Sequence, residues 1–162
     1  MISMISSVGK NMELGKGNKL IWKIPADMKY FKDITMGHTV VMGYKTYLSL
    51  PGNLKGRHMV VITSKKNIDN VEIINDINKA IKKYSNLTDE IFIIGGASLY
   101  SQFIEYASKL YLTEIDAYDR NADTFFPEFD KNYWNKEVIE RNIYDHIKYE
   151  MCVYTRKKIK KM

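Results

Sequence analysis

Asp27 lies where a carboxylate would sit among apolar side chains, and such a group is a candidate for acid chemistry. Pro25 favours a helix start, because its missing N–H is one of the donors that a helix leaves unpaired, so a helix is predicted over residues 25–35. Asp27, Phe31 and Ile34 then share one face. Burial there would raise the pKa of Asp27, and the helix N-terminus would lower it. Such perturbed acids cluster at functional sites, although an N-terminal Asp also favours a helix by itself.

Two glycine-containing turns predict places where an anionic ligand could approach the backbone. Gly95 and Gly96 follow an apolar strand and precede a helix, so backbone N–H groups would face a ligand there. By itself, this pair of glycines is equally consistent with a turn that binds phosphate and with a simple tight turn. Gly43 opens a similar turn, with Lys45 and Thr46 in the helix that follows. Two such turns at the ends of two strands favour one extended anionic ligand.

The segment over residues 15–20 contains two glycines but no dinucleotide-binding fingerprint, because it lacks the third glycine and opens no helix. Its glycines and polar residues predict a mobile loop of about a dozen residues that leads to Trp22 and closes over a site. The sequence has neither a nucleophile elbow nor a Walker phosphate loop. Covalent hydrolysis and phosphoryl transfer are therefore disfavoured.

The composition predicts one domain over residues 1–162, with a core large enough to fold without cross-links. Cys152 is the only cysteine and the three histidines are scattered, so neither a disulfide nor a metal site is expected. The chain shows no basic leader and no apolar run of membrane-spanning length. We therefore expect a cytoplasmic protein that does not contact a membrane.

The net charge of +6 predicts an anionic partner. Nucleic acid, a phosphorylated cofactor and a polycarboxylate all satisfy that expectation, and charge alone does not choose among them. Part of the excess lies in residues 156–161, which we interpret as a solvated tail.

Short β-type runs alternate with helical patterns, which predicts an α/β sheet. Strands are expected over residues 2–7, 39–42, 59–63, 72–74, 91–94 and 109–115, and helices over residues 25–35, 44–50, 77–84 and 97–106. The continuously apolar strands are typical of parallel strands covered on both faces. Polar and apolar residues alternate over 133–141 and 148–157 around a turn-like segment at 142–146, which predicts an antiparallel hairpin added to the sheet.

The motifs also occur in a characteristic order along nearly the whole chain. They are Met1-Ile2-Ser3-Met4-Ile5, Gly17-Asn18, Trp22-x-x-Pro25-Ala26-Asp27-x-x-x-Phe31, Val41-Met42-Gly43-x-x-Thr46, Gly56-Arg57, Ile93-Ile94-Gly95-Gly96, Leu110-Tyr111-Leu112-Thr113 and Asp123-Thr124-x-Phe126-Pro127. Each is weak alone, but eight in this order resemble dihydrofolate reductase. The resemblance implies a mixed, mainly parallel eight-stranded sheet flanked by four helices, which binds NADPH and dihydrofolate.

The resemblance also implies the catalytic residues. Asp27 would be the single buried acid that hydrogen-bonds the pterin 2-amino group and N3, and it would favour protonation at N5 while hydride passes from nicotinamide C4 to C6. A water would deliver the proton. Trp22 would hold an ordered water through its indole N–H, and the Thr113 hydroxyl would hold Asp27. Core packing is the alternative role for both.

The binding residues follow from the same resemblance. The folate pocket would be walled by Ile5, Met28, Phe31, Leu50, Leu54 and Ile94, positions that suit a protein core equally well. Arg57 would clamp the glutamate α-carboxylate through two hydrogen bonds. The NADPH site would be lined by Ser7, Asn18, Leu20, Gly43, Lys45, Thr46, Thr63, Ser64, Lys65, Gly95, Gly96, Ala97, Ser98, Leu99, Tyr100 and Gln102.

Five positions depart from the usual pattern of the family. Ile21 stands where a proline commonly precedes the tryptophan, which leaves the end of the predicted mobile loop less rigid. Tyr44 and Ser98 occupy places that often carry basic residues near the cofactor phosphates. Gly52 and Asn53 alter a segment of the substrate rim. The acid, the arginine and the paired glycines are all retained.

We expect NADPH-dependent reduction of 7,8-dihydrofolate to tetrahydrofolate by a monomer that binds no nucleic acid. A second hypothesis is a reductase of the same fold that acts on a ribosylated pyrimidine in riboflavin synthesis. Asp27 and Arg57 favour folate, because that pyrimidine has neither pterin nor glutamate. A third hypothesis is a basic nucleic-acid-binding module that uses the lysines and the twelve tyrosines. The tyrosines lie in amphipathic segments without a nucleic-acid-binding motif.

Overall fold

The computed structural model describes residues 1–158. The strands are β1 (Ile2–Val8), β2 (Glu13–Lys16), β3 (Lys19–Leu20), β4 (Thr39–Gly43), β5 (His58–Ile62), β6 (Glu72–Ile74), β7 (Ile91–Gly95), β8 (Lys109–Ile115), β9 (Thr124–Phe125), β10 (Trp134–Tyr144) and β11 (Ile147–Arg156). The helices are α1 (Pro25–Thr35), α2 (Tyr44–Ser49), α3 (Ile77–Ser85) and α4 (Ala97–Phe103). None of the helices in residues 1–158 is long and apolar enough to cross a membrane.

Eight strands form one sheet in the order β10-β11-β8-β1-β7-β4-β5-β6. Pairing is parallel from β8 to β6, and β11 runs antiparallel to both β8 and β10. The prediction of a mixed, mainly parallel eight-stranded sheet with four helices and a C-terminal hairpin is therefore confirmed. Because neighbouring parallel strands end at the same edge, the segments that follow β1, β4, β5 and β7 meet there.

The apolar strands are buried as their composition predicts. Val40, Val41 and Met42 of β4 are each 0% exposed, because helices and loops cover both faces of the sheet. Helix α1 packs Phe31 and Ile34 against one of these faces. The face of α1 that carries Asp27 is therefore the face that docks on the sheet.

Residues 13–20 form a β-hairpin where the sequence predicts a loop. Strands β2 and β3 pair around Gly17 and Asn18, whose φ angles are 57° and 60°, and β9 pairs with the other side of β2. A Gly-Asn pair between two short runs is a hairpin signal, because both turn residues need positive φ. The segment predicted as a mobile loop therefore contains two paired strands, and this hairpin belongs to a separate three-stranded sheet.

Arg156 is not part of a solvated tail. Its Nε and Nη2 atoms each donate a hydrogen bond of 2.8 Å, to the carbonyl oxygens of Ala107 and Ile104 respectively, and its guanidinium carbon lies 4.2 Å from the centroid of the Trp134 ring. The tail prediction is wrong at this residue, because strand β11 extends through it. Lys157 and Lys158 are exposed as expected, and residues 159–161 lie outside the described part of the chain.

The ends of several elements differ from the prediction by a few residues. The helix predicted over 97–106 ends at Phe103 and continues as a 3₁₀ turn, Ile104–Tyr106. The turn predicted over 142–146 contracts to Asp145 and His146, with φ angles of 50° and 65°. Such boundary differences are ordinary, because helix and strand ends depend on tertiary contacts.

Candidate active site

Asp27 lies against the carboxyl ends of two neighbouring strands. Thr113 Oγ1 of β8 donates a hydrogen bond of 2.5 Å to Asp27 Oδ1, and Ser7 Oγ of β1 donates one to Oδ2. Ser7 and Thr113 are register partners on parallel strands, so both hydroxyls converge on one acid. The contact expected between Thr113 and Asp27 is present. Ser7, expected in the cofactor site, instead directs its hydroxyl to Asp27.

Burial determines the acidity of Asp27. It raises the pKa of the carboxyl group above its ordinary value, and the hydrogen bonds from Ser7 and Thr113 offset part of that rise. Within residues 1–158 no cation forms an ion pair with Asp27. An ionised carboxylate has about four acceptor positions, and the two hydroxyls use two of them. Asp27 can therefore accept further hydrogen bonds from a ligand with two adjacent donors.

Apolar side chains from β1, α1, β7 and the loop after α2 meet beside this acid. Five of the six residues expected to wall the pocket belong to one hydrophobic cluster: Ile5, Phe31, Leu50, Leu54 and Ile94. The sixth, Met28, lies one residue beyond Asp27 on α1 and is 58% exposed. A flat apolar ligand is suited to such a wall, because pockets of this kind bind by burying apolar surface.

Arg57 lies after the loop that carries Leu50 and Leu54. Its Nε atom donates to the carbonyl oxygen of Lys55 at 3.2 Å, and Nη1 donates to Thr35 Oγ1 at 3.3 Å. Partial burial lowers the pKa of the guanidinium, which still stays charged at neutral pH. No acidic side chain in residues 1–158 forms an ion pair with Arg57. Its charge is therefore available to an acidic ligand.

Trp22 lies between the hairpin and α1. Its ring is partly buried and packs against a cluster that contains Ile24, Ile115 and Met151. A Cβ atom on Gly9 would lie 2.5 Å from Trp22 Cη2, so only glycine fits opposite the ring. This close approach places the indole beside the end of β1, on which Ser7 lies.

The two glycine turns meet at the carboxyl edge of the sheet. Gly95 has a φ of 133°, which favours glycine, and a Cβ atom there would lie 3.3 Å from Thr46 Oγ1. The corresponding atom on Gly96 would lie 3.5 Å from the same hydroxyl, and one on Gly43 would lie 3.7 Å from Leu99 Cδ1. The turns after β4 and β7 therefore form one surface, as an extended ligand requires.

The remaining residues expected near a cofactor differ in how far they are exposed to solvent. Asn18 Nδ2 donates to the Lys45 carbonyl oxygen at 3.1 Å, which joins the hairpin to α2. Tyr100 is buried and donates its hydroxyl to the Ile5 carbonyl oxygen at 2.7 Å. The others are the exposed Leu20, Ser98 and Gln102, the buried Leu99 and the partly buried Ala97 and Thr63. Ser98 and Gln102 hydrogen-bond to each other.

A basic cavity follows the end of β5. It has a volume of about 490 Å³ and includes Ser64 and Lys65 among its lining residues. The Lys65 ammonium lies 4.7 Å from the centroid of the Tyr44 ring, so the tyrosine in place of a basic residue holds this lysine by a cation–π contact. The sequence analysis missed Lys66 and Lys79, which line the same cavity. The i, i+4 spacing of Lys79 and Lys83 on α3 was the available signal.

The sequence analysis also missed Glu13. Its side chain is 1% exposed, although it lies close to the polar, glycine-rich segment over residues 15–20. One of its two backbone donors is the nearby Asn11 and the other is Asp119, so its burial depends in part on a segment that lies far away in the sequence.

Known proteins are similar to this chain over nearly its whole length. The family model described as dihydrofolate reductase matches residues 1–158. Dihydrofolate reductases from Buchnera aphidicola subsp. Baizongia pistaciae (strain Bp) and Bacillus subtilis (strain 168) are 38% and 36% identical to the chain. The first alignment covers 99% of this chain and 97% of the relative, and the second covers 97% and 95%.

A solved structure shares the fold. Dihydrofolate reductase from Enterococcus faecalis, complexed with NADP(H) and RAB-propyl, superposes with a TM-score of 0.87 at 26% identity. The match covers 98% of this chain and 97% of that one. The chain belongs to the dihydrofolate reductase family.

The buried acid predicts a specific dependence of stability on pH. Because the folded-state pKa of Asp27 is raised, the native state binds more protons than the unfolded state between the ordinary carboxyl pKa of ~3.9 and the raised value. The free energy of unfolding therefore falls as pH rises through that window. Asp27→Asn removes this loss, so the variant should be more stable than the wild type at neutral pH, and the difference should disappear at low pH.

Urea unfolding across pH measures this difference. Asp33→Asn removes an exposed carboxylate from the same helix and should show no comparable gain. An Asp27→Asn protein that is less stable than the wild type at neutral pH contradicts the assigned cost of burial.

Proposed function

We propose that Asp27 is the acid that orients and polarises 7,8-dihydrofolate during its NADPH-dependent reduction to 5,6,7,8-tetrahydrofolate, the reaction of this family. The observation that carries the proposal is the contact geometry of Asp27. It lies on an apolar face of α1, accepts two hydroxyl hydrogen bonds and keeps acceptor capacity for a ligand. The pterin 2-amino group and N3 offer the two adjacent donors that this carboxylate can accept.

The glycine surface supports the cofactor role. Side chains at Gly95 and Gly96 would approach Thr46, so the backbone itself faces the space between the turns and can come close to a phosphate. Lys45 lies in the first turn of α2, directly after the turn that contains Gly43, and the Lys65 ammonium lies over the ring of Tyr44 in the same helix. Both lysines supply positive charge beside this surface. When bound, NADPH supplies the hydride that passes from nicotinamide C4 to pterin C6.

Asp27 promotes the reaction through charge and position. Its carboxylate fixes the pterin ring by accepting from the 2-amino group and N3, and its negative charge favours protonation at N5. A water delivers the proton, with Trp22 beside the site to hold it. The Ser7 and Thr113 hydroxyls keep the carboxylate in place, because both donors lie on the rigid sheet.

Arg57 completes the recognition of the substrate. Its guanidinium is held by Lys55 and Thr35 on one side and can pair with the glutamate α-carboxylate through two parallel hydrogen bonds. Leu50 and Leu54 precede Arg57 in the same loop and belong to the apolar cluster with Ile5, so we expect them to cover the aromatic middle of the substrate. The ribosylated pyrimidine of riboflavin synthesis offers no carboxylate for Arg57, so dihydrofolate is the favoured substrate.

We further propose that the 162 residues form a single domain that acts as a monomer in the cytoplasm and binds no nucleic acid. One continuous eight-stranded sheet in the described residues supports the single domain. The lysines at the carboxyl edge of the sheet can bind the phosphates of the cofactor. Cofactor binding therefore accounts for the positive net charge without a nucleic-acid partner.

The role of Arg57 is tested by ligands with and without the glutamate. Arg57→Ala should weaken dihydrofolate binding by roughly 1.5–3 kcal/mol, the range for a charge-assisted hydrogen-bonded pair, and leave a pteridine without glutamate bound normally. Equilibrium fluorescence titration measures both affinities. Lys55→Ala is the matched control, because it removes an exposed charge two residues away in the same loop. Equal losses for both ligands would show that Arg57 serves the fold.

The choice of cofactor rests on the lysines near Tyr44. Lys45→Ala combined with Lys65→Ala should raise the KM for NADPH much more than the KM for NADH, because only NADPH carries the adenosine 2′-phosphate. The wild-type preference for NADPH should shrink as salt rises, since the contacts are partly exposed. Steady-state kinetics with both cofactors measure this, with Lys82→Ala on the exposed face of α3 as control. A wild type that uses NADH equally well contradicts the assignment.

A further inference from the structure

Glu13 is the most deeply buried charged residue in residues 1–158, at 1% exposed. Asp27 is only partly buried, so the expectation that it is the single buried acid is wrong. Its Oε1 atom accepts a hydrogen bond of 2.7 Å from the Asn11 backbone N–H, and Oε2 accepts one of 2.7 Å from the Asp119 backbone N–H. No cation in the described residues forms an ion pair with it. A buried carboxylate is costly unless it is hydrogen-bonded, so these two amides account for its presence.

The two amides belong to different loops. Asn11 lies in the turn after β1, and Asp119 lies in the segment after β8. Backbone hydrogen bonds also join these segments, from Lys10 N to the Ala117 oxygen at 2.9 Å and from Phe126 N to the Met12 oxygen at 2.8 Å. Glu13 is the buried side-chain link within this connection, whereas the ion pair of Lys10 with Asp116 is about half exposed.

The carboxylate also lies beside the active site. A Cβ atom on Gly9 would be 2.6 Å from Glu13 Oε1 and 2.5 Å from Trp22 Cη2, so the carboxylate and the indole edge occupy the same side of Gly9. Glu13 begins β2, and Trp22 follows β3 of the same hairpin. A shift of the carboxylate would therefore move both the turn against which Trp22 packs and the hairpin that reaches α2.

We propose that Glu13 is a positioning residue for hydride transfer. Its buried carboxylate fixes the segments 9–12 and 116–119 relative to each other, and through Gly9 it fixes the ring of Trp22 beside Asp27 and the hairpin above the glycine surface. Glu13 contacts neither the apolar wall of the site nor the basic cavity, so it acts through Gly9 and Trp22. The inference rests on the active site proposed above.

Glu13→Gln tests this role with little change in size. The amide can accept from only one of the two backbone N–H groups, because its other end carries an NH₂ group. Hydride transfer at saturating NADPH and dihydrofolate should slow by about tenfold, below the ~10²-fold loss that a misplacement of roughly 1 Å can cause. The affinity for 2′,5′-ADP, which represents the adenosine end of NADPH, should stay unchanged.

Acrylamide quenching of tryptophan fluorescence reports the position of Trp22 directly. Trp134 is 5% exposed, so acrylamide quenches its fluorescence little. Stronger quenching in Glu13→Gln would therefore come from Trp22. Asp116→Asn, which removes only the exposed ion pair of the same segment, should match the wild type in rate and in quenching.

Three results would overturn the proposal. Wild-type hydride transfer and quenching in Glu13→Gln would show that the carboxylate positions nothing, and a matching loss of 2′,5′-ADP affinity would show a general role in folding. If Glu13→Gln does not fold, amide hydrogen exchange in the wild type decides: slow exchange at Asn11 and Asp119 supports the link, and rapid exchange refutes it. Quenching and exchange do not require turnover, so their outcome stays separate from a failure of dihydrofolate as substrate.

Discussion

The structure of the site depends on keeping the carboxylate of Asp27 out of water. Docking of α1 through Phe31 and Ile34 carries the acid to the sheet, and the Ser7 and Thr113 hydroxyls compensate part of the lost hydration. Two hydrogen bonds do not fully offset burial, which is why the pKa of Asp27 is raised. The fold therefore holds this acid at a cost in stability, as functional sites commonly do.

The parallel sheet supplies the positions that this arrangement needs. Ser7 and Thr113 face the same acid because β1 and β8 are in parallel register, and Gly43 and Gly95 meet because β4 and β7 are neighbours. Substrate and cofactor surfaces thus arise at one edge of one sheet. The hairpin pairs with β9, which follows β8 in the chain, in a second, smaller sheet, and the buried Glu13 adds a hydrogen bond to Asp119 in the segment after β8.

Much of this could be predicted from the chain, and the exceptions have physical reasons. The apolar strands, the Pro25 helix start and the glycine turns are local signals, so the main sheet and helix α1 were predictable. The contact of Thr113 with Asp27 followed only from the family resemblance, and the contact of Ser7 with Asp27 was not expected. The hairpin around Gly17 and Asn18 carried a local signal that was interpreted as a loop. Glu13 and Arg156 carried none, because the contacts of Glu13 with Asp119 and of Arg156 with Ala107 and Ile104 join segments that lie far apart in the sequence. Burial of a charged side chain by such contacts becomes visible only in three dimensions.

The most direct test of the account is the pH dependence of hydride transfer in Asp27→Asn, measured in single turnovers with NADPH and dihydrofolate. The account predicts a loss of at least ~10²-fold at neutral pH, typical of positioned acid–base assistance, with an intact fold. It also predicts partial recovery at low pH, where the substrate is already protonated and needs Asp27 less. A nearly normal rate for Asp27→Asn at neutral pH would contradict it.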